Sequence, residues 1–327
     1  MRFFKMGKKR LLFILAILFI VILNYCLNLS SNLFLLFPPE GAVMVNENGW
    51  RILQTNQKSY ATKTEFHSSA FTVKELTFRR NHPDFFQRQF LKIFPGKIKI
   101  VEISPENDFM IVSNPHTGFQ SMNTGEALKN SPANFVLNAN FYGTKNQIMG
   151  ELILDGRKYK KETSNSGFFR VIENIPHVGP RSYINSIPGE IQYSCQAFPS
   201  VMNDGQIFSY ILSEKSPSKP LWKKKTYRNL VGRKKNGNIV FILSNQRGFL
   251  SIKEISIIAK VYGVDTAALF DGGKALQYKI DHPDFKMTFA AFNNSFSLGK
   301  RIDDYFMRKF RSPFIQKSPV FIGVKLH

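Results

Sequence analysis

Cysteine is nearly absent: Cys26 and Cys195 are the only two in 327 residues. Cys26 sits in an amino-terminal apolar stretch, so Cys195 is alone in the remainder and no internal disulfide can staple it. A lone cysteine in a strand-like run reads as a small buried hydrophobe. Also missing are a Walker-type loop, a G-x-G-x-x-G turn and any His/Cys cluster with zinc spacing. The usual sequence marks of nucleotide binding and of structural zinc are therefore lacking. Acidic residues are scarce, 23 against 45 Lys and Arg, for a formal charge of +22. That excess favours anionic partners and says nothing about fold. Aromatic residues fall in core-like runs rather than in a basic stacking stripe, which argues against nucleic acid as the partner.

What is present begins with a basic amino terminus. Arg2, Lys5, Lys8, Lys9 and Arg10 precede an apolar run from Leu11 to Leu23, continued more weakly to Leu29. A positive flank before apolar sequence reads as a membrane-targeting segment with its basic end in the cytoplasm. Counted to Leu29 it comes close to the ~20 residues a spanning helix needs. No small-x-small cleavage site follows, so the reading is an uncleaved single-pass anchor over residues 1–29. The globular domain is then expected outside the cytoplasm. Residues 30–67 read as a stalk or linker, with Pro38-Pro39 and little periodicity. The domain is expected over 68–327.

Lys97 to Ile103 alternates as a strand, with Phe109 to Val112 as a candidate partner. Asn134 to Leu137, Glu151 to Leu154, Phe168 to Ile172, Ile191 to Phe198 and Ile239 to Leu243 predict further strands. Asp155-Gly156 marks a turn and Asn236-Gly237 a hairpin. Ser251-Ile252-Lys253-Glu254 is a capping box opening a helix whose apolar face is Ile255, Ile258, Ala259 and Tyr262, with Gly263 as its stop. The strand Thr266 to Phe270 then delivers Asp271 at its tip. His82-Pro83-Asp84-Phe85 recurs as His282-Pro283-Asp284-Phe285, read as repeated turn chemistry.

Three motifs place polar groups where a buried strand ends: Asn138 to Tyr142, Tyr227 to Gly232 and Ala268 to Gly273. Strand ends are where a rigid scaffold can aim side chains into a cleft. Together they read as one site.

The ordered set resembles the phosphodiester glycosidase family, to which the lysosomal uncovering enzyme belongs. The family's Asn-Ala/Gly-Gly-Phe-Phe strand end is similar to Asn138 to Tyr142. Its Gly-x-x-(Ile/Val)-x-Asp-Gly strand is similar to Gly150 to Gly156, and its Gln-Ser-Gly-Pro segment to Gln196 to Pro199. Arg228 to Gly232 resembles its Arg-Asn-x-x-Gly stretch, and Phe270 to Lys274 its Leu-Asp-Gly-Gly-Gly-Ser signature. Pro319 to Val324 resembles its last strand, so the match spans about residues 95–325. Four positions depart: Asn140 and Phe198 replace usual glycines, and Lys274-Ala275 replace Gly-Ser.

The resemblance implies a sheet-rich α+β domain with a few helices, hydrolysing a sugar-1-phosphodiester in an anionic glycan or related conjugate. A cation must hold the phosphate, and Arg228 suits the part because its fork matches two phosphate oxygens; the alternative is a surface arginine in a Lys-rich loop. A carboxylate must stabilise the oxocarbenium-like centre or direct water onto it. Asp271, at a strand tip before Gly272 and Gly273, suits that role, against a plain Asp-Gly turn, and the two glycines would let the backbone approach the substrate closely. Glu151 is a second carboxylate candidate, or an exposed strand residue. Asn138, Asn140, Asn229 and Gln196 either bind sugar hydroxyls or close strand ends, and Lys274 stands where it can touch phosphate. No cofactor is expected and no metal motif is present, although an Asp- and Asn-lined site offers oxygens to a hard cation such as calcium. The alternative function is a non-catalytic module of the same fold that binds anionic glycan, suggested by the Asp-Gly-Gly-Lys-Ala loop.

Overall fold

The computed structural model describes residues 39–140, 147–213, 223–291 and 317–327, with helical positions at Leu12, Leu15, Ala16, Leu18 and Phe19. From the amino end come β1 (Ala42–Asn46), β2 (Trp50–Ile52), β3 (Lys63–His67), β4 (Phe71–Asn81), α1 (Phe85–Ile93), β5 (Gly96–Ile103) and β6 (Asp108–Val112). Helix α2 (Thr124–Lys129) leads to β7 (Phe135–Asn138), β8 (Leu152–Leu154), β9 (Arg157–Lys160), β10 (Gly167–Ile172) and β11 (Ile175–Pro180). Then follow α3 (Arg181–Ile184), β12 (Ile191–Ala197), β13 (Ser200–Asn203), β14 (Gln206–Ile207) and α4 (Ser209–Leu212). The last part holds β15 (Asn229–Arg233), β16 (Ile239–Ser244), α5 (Ile252–Val261), β17 (Thr266–Leu269), β18 (Gln277–His282), β19 (Phe285–Ala290) and β20 (Phe321–Lys325). This is the sheet-rich α+β architecture expected.

The strands form three sheets. The large one runs β14-β13-β17-β15-β16-β5-β4-β1-β2, with β3 also on β4; the others run β11-β10-β12-β8-β9 and β19-β18-β7-β20-β6. Alternation along the central strands feeds two cores. Ile98, Ile100, Val240, Ile242, Ala267 and Leu269 face α5, whereas Val101, Ile103, Phe241, Ala268 and Phe270 face the two smaller sheets. With both faces covered, these strands read in sequence as nearly continuous apolar runs. The inner core draws Phe135 and Leu137 from β7, Phe169 from β10 and Cys195 from β12, so all three sheets meet there.

Helix α5 has the expected box: Ser251 Oγ accepts from Glu254 N and Glu254 Oε2 accepts from Ser251 N, and Gly263 closes it at φ 83°. Asp155-Gly156 takes positive φ in the β8–β9 turn, as does Gly237 between β15 and β16. In both His-Pro-Asp-Phe copies the histidine Nδ1 accepts from the aspartate N, at 3.0 Å for Asp84 and 3.3 Å for Asp284. The shared tetrapeptide is one local turn used twice.

Two expectations change. The stretch 42–67 is not a stalk: β1 pairs with β4, β3 lies on β4, and Val43, Val45 and Leu53 are buried. Its short sheet-edge strands carry polar outer faces, which hides their periodicity. Phe109 to Val112 does not pair with Lys97 to Ile103, because β5 is flanked by β4 and β16; β6 pairs with β20 instead. Among the described residues no helix is long and apolar enough to cross a membrane. The expected anchor falls almost entirely outside those residues; its described side chains Leu12, Leu15, Leu18 and Phe19 are exposed.

Candidate functional site

The three strand-end motifs converge on one seam between the large sheet and the sheet containing β7. Asn138 ends β7, and its Nδ2 donates to the Asp271 carbonyl at 2.7 Å while its Oδ1 accepts from Gln277 N at 2.9 Å. Asn229 begins β15 and donates from Nδ2 to the Asn138 carbonyl at 3.0 Å. Backbone bonds complete the joint: Asp271 N to Ala139 O at 3.1 Å and Phe270 N to Asn229 O at 2.9 Å. Both asparagine side chains are fully buried. Buried amides matched in this way fix a backbone more firmly than an apolar contact, because each unmade bond costs its desolvation. Phe141 and Tyr142, the end of the first motif, lie outside the described residues.

The Asp271 carboxyl is largely buried just beyond the end of β17. Burial pushes it up from its ordinary 3.8 to about 7, against the opposing pull of the Gly272 N–H. Among the described residues no cation contributes to that shift. The residue nevertheless keeps partial exposure, so a ligand can reach it. A carboxyl that is half protonated near neutrality, without a counter-ion, is suited to proton transfer rather than to holding structure together.

The following glycines serve the loop itself. A Cβ on Gly272 would lie 2.5 Å from the Tyr227 carbonyl oxygen, and Gly273 sits at φ 61° with its N–H on that same carbonyl at 2.8 Å. Their close approach is to the neighbouring strand entry. Lys274, exposed, follows in the turn Gly273–Ala275.

Arg228 lies on the opposite side of β15 from Asn229. Its Nε donates to Leu250 O at 3.1 Å and its Nη2 to Lys224 O at 2.6 Å. Burial lowers its pKa to about 10, with Glu254 as the opposing charge. In this structure the guanidinium ties the Lys-rich 224–228 segment to the residue before the α5 cap.

Glu151 is buried, not an exposed strand residue. Its Oε1 accepts from Arg170 Nη2 at 2.8 Å, Arg170 Nε at 3.1 Å and Ser194 Oγ at 2.6 Å, and Lys158 Nζ stands 3.5 Å from Oε2. Arg170 also reaches Asn185 Oδ1 at 2.9 Å. Arg170 and Ser194 are site-adjacent residues that the sequence reading passed over. The signal was a charge inside the apolar run Phe168 to Ile172, which demands a buried partner. The β10–β12 register sets Arg170 opposite Ser194.

Asn140 connects this network to the seam, donating from Nδ2 to the Glu151 carbonyl at 3.2 Å. Its Oδ1 and that of Asn229 are buried acceptors with no hydrogen-bond partner among the described residues. Gln196 is spent on protein: Oε1 accepts from Glu151 N and Thr163 N, both at 2.9 Å, and Nε2 donates to Thr163 O and Asn165 O. It closes a strand end and has no group left for a sugar. Cys195 is fully buried, and burial with nearby Glu151 raises its thiol pKa. Among the described residues no three His, Cys, Asp or Glu side chains converge as a metal site.

Comparison with known proteins bears on this geometry. Phosphodiester glycosidase is the family matched, over residues 131–298, just over half the chain. The zebrafish N-acetylglucosamine-1-phosphodiester alpha-N-acetylglucosaminidase catalytic domain, auto-inhibited by its pro-peptide, superposes with a TM-score of 0.57 at 13% identity, covering 82% of this chain and 88% of that one. A hypothetical protein from Synechocystis gives 0.55 at 12% identity, covering 82% of this chain and 64% of its own. At such identities the likeness is one of fold. No curated protein sequence matches the chain. The matched segment runs from just before β7 to just beyond β19, and so contains Asn138, Asn229 and Asp271; β20, which pairs with β7 at Asn138, lies beyond it. The chain belongs to the phosphodiester glycosidase family.

Proposed function

We infer that this protein hydrolyses a sugar-1-phosphodiester bond, with Asp271 as the residue that activates water. The observation that carries the reading is the Asp271 carboxyl itself, reachable, with no cation paired to it among the described residues and poised at about 7. As the carboxylate it takes a proton from water while the water oxygen bonds to the anomeric carbon. The bond from that carbon to the phosphate oxygen breaks, and the electron pair leaves with the phosphate. A phosphate leaves without the strong protonation an alcohol needs, so one tuned carboxyl is sufficient for the step.

The orphan oxygens of Asn140 and Asn229 are suited to accept sugar hydroxyls, since a buried acceptor without a partner is costly until one arrives. Lys274, on the same turn as Asp271, is the proposed phosphate contact, and Arg228 supports the loop that presents it. Glu151 holds the Asn140 end of the site in place through Arg170. The substrate class is an anionic glycan or related conjugate, in keeping with the +22 charge. The zebrafish relative is named for a phosphodiester of N-acetylglucosamine, a reasonable first sugar to try. The basic flank and apolar run before residue 30, with helical, exposed Leu12, Leu15, Leu18 and Phe19, support a membrane anchor with the domain outside the cytoplasm.

The Lys274-Ala275 departure favours one other reading, a glycan-binding module without turnover. A panel of sugar-1-phosphodiesters, assayed for sugar release with the full chain and with Asp271→Asn, separates the two. Turnover that Asp271→Asn abolishes while binding persists supports hydrolysis; binding by a folded wild type with no release from any member supports the module.

A further inference from the structure

A second feature of the surface lies beside the seam and is not used by the reaction. Phe119 follows the turn Pro115–Thr117 at φ 63°, a left-handed backbone that a bulky residue seldom adopts. Its N–H is held by Asn114 O at 2.9 Å. This geometry sets its ring edge-on to Tyr159 of β9, with centroids 5.8 Å apart and planes at 83°. Both rings are half-buried. The Arg157 guanidinium lies 5.2 Å from the Tyr159 centroid, and the Lys160 ammonium 5.8 Å from that of Phe119.

The charge on this rim is in excess. Residues 157–161 read Arg-Lys-Tyr-Lys-Lys, and among the described residues only Lys158 has a carboxylate within reach, Glu151 at 3.5 Å. Cations on an edge strand guard against unwanted pairing, and that accounts for some of them. It does not account for two aromatic rings brought together, one from β9 and one from the loop after β6 on a positive-φ backbone. The rim also adjoins the site. β9 pairs with β8, Lys158 touches Glu151, and the Glu151 carbonyl takes Asn140. Aromatic faces flanked by unneutralised cations suit a polymer that alternates apolar sugar faces with phosphates.

We propose that the Phe119–Tyr159 rim with Arg157 and Lys160 is a subsite for the phosphate-bearing glycan chain that extends beyond the bond at Asp271. The placement of that bond rests on the hydrolase reading above. Charge complementarity and continuity with the seam select the occupant.

The test measures binding of the full chain to a phosphate-linked mannan and to the same mannan after dephosphorylation, alongside turnover of a short sugar-1-phosphodiester. Wild type is expected to prefer the phosphorylated mannan by about tenfold. Arg157→Gln with Lys160→Gln should erase that preference, and Tyr159→Ala should weaken binding of both mannans by about tenfold. Thermal melts of each variant confirm folding, which matters most for Tyr159→Ala because that ring is half-buried against the core. Wild-type turnover of the short diester together with unchanged mannan binding in all variants overturns the subsite and leaves the reaction standing. Loss of preference in the variants with no wild-type turnover supports the subsite and removes the reaction. Equal binding to a DNA duplex or to phosphatidylglycerol vesicles, lost in the same variants, overturns the glycan as occupant.

Discussion

The side chain of Asn138 holds the main chain of Asp271, donating to its carbonyl at 2.7 Å across the boundary between two sheets. Its own carbonyl is taken by Asn229. The acid is thus fixed by its backbone while its carboxyl is left without a partner charge. That separation allows burial to raise the pKa without a compensating ion pair.

A cost in stability follows from this arrangement. Asp271 is raised from 3.8 unfolded to about 7 folded, so the folded state binds more protons between those values and stability falls as pH rises through that window. Asp271→Asn removes the penalty. We expect its Tm to exceed that of wild type by roughly 5–10 °C at pH 8 and nearly to match it at pH 4, while activity is lost. Calorimetry at the two pH values checks this.

Glu151 and Arg170 should separate from Asp271 in kind. Arg170→Ala leaves a buried carboxylate with only the half-exposed Lys158 nearby, a loss of about 3–5 kcal/mol. Glu151→Gln keeps most of the shape and removes the charge, and its effect should be smaller. Denaturant titration measures both. Turnover per folded molecule in Glu151→Gln should fall by less than about tenfold, against roughly a hundredfold or more for Asp271→Asn.

Gly272→Ala is a test of loop geometry. Its Cβ meets the Tyr227 carbonyl oxygen at 2.5 Å, which forces the Asp271 loop away from β15. The expected loss is about 1–3 kcal/mol, with a fall in kcat larger than any change at the exposed Lys274. Gly272→Ala activity equal to wild type would show that the loop need not stay where it is.

Truncation distinguishes the observed fold from a stalk. Removal of residues 1–38 leaves every described strand intact, and the product should melt cooperatively. Removal of residues 1–67 takes away β1, β2 and β3 and exposes Phe78 and Leu76 of β4. That product is expected to be insoluble or to melt at far lower temperature in a thermal-shift assay.

How much of this was legible varies by residue. The cap at Ser251 and Glu254, the stop at Gly263 and the Asp271 strand tip are local, and local chemistry is written in adjacent letters. The meeting of Asn138, Asn229 and Asp271 was legible only because three motifs occur in order. The Glu151–Arg170 pair was not, since it depends on the register of β8, β12 and β10. Arg228 looked like a free fork because nothing in sequence shows that Leu250 and Lys224 carbonyls wait for it. The stretch 42–67 looked like a linker because Lys63–His67 is largely exposed on a sheet edge, where polar residues cost nothing.

The pH profile of kcat/KM for a sugar-1-phosphodiester, measured with the full chain, tests the central role of Asp271 most directly, because that ratio reports the free enzyme's essential groups. Activity rising between pH 6 and 8 around an apparent pKa near 7, and absent in Asp271→Asn, is the predicted result. A profile flat across that range, or an Asp271→Asn variant within about tenfold of wild type, would contradict it.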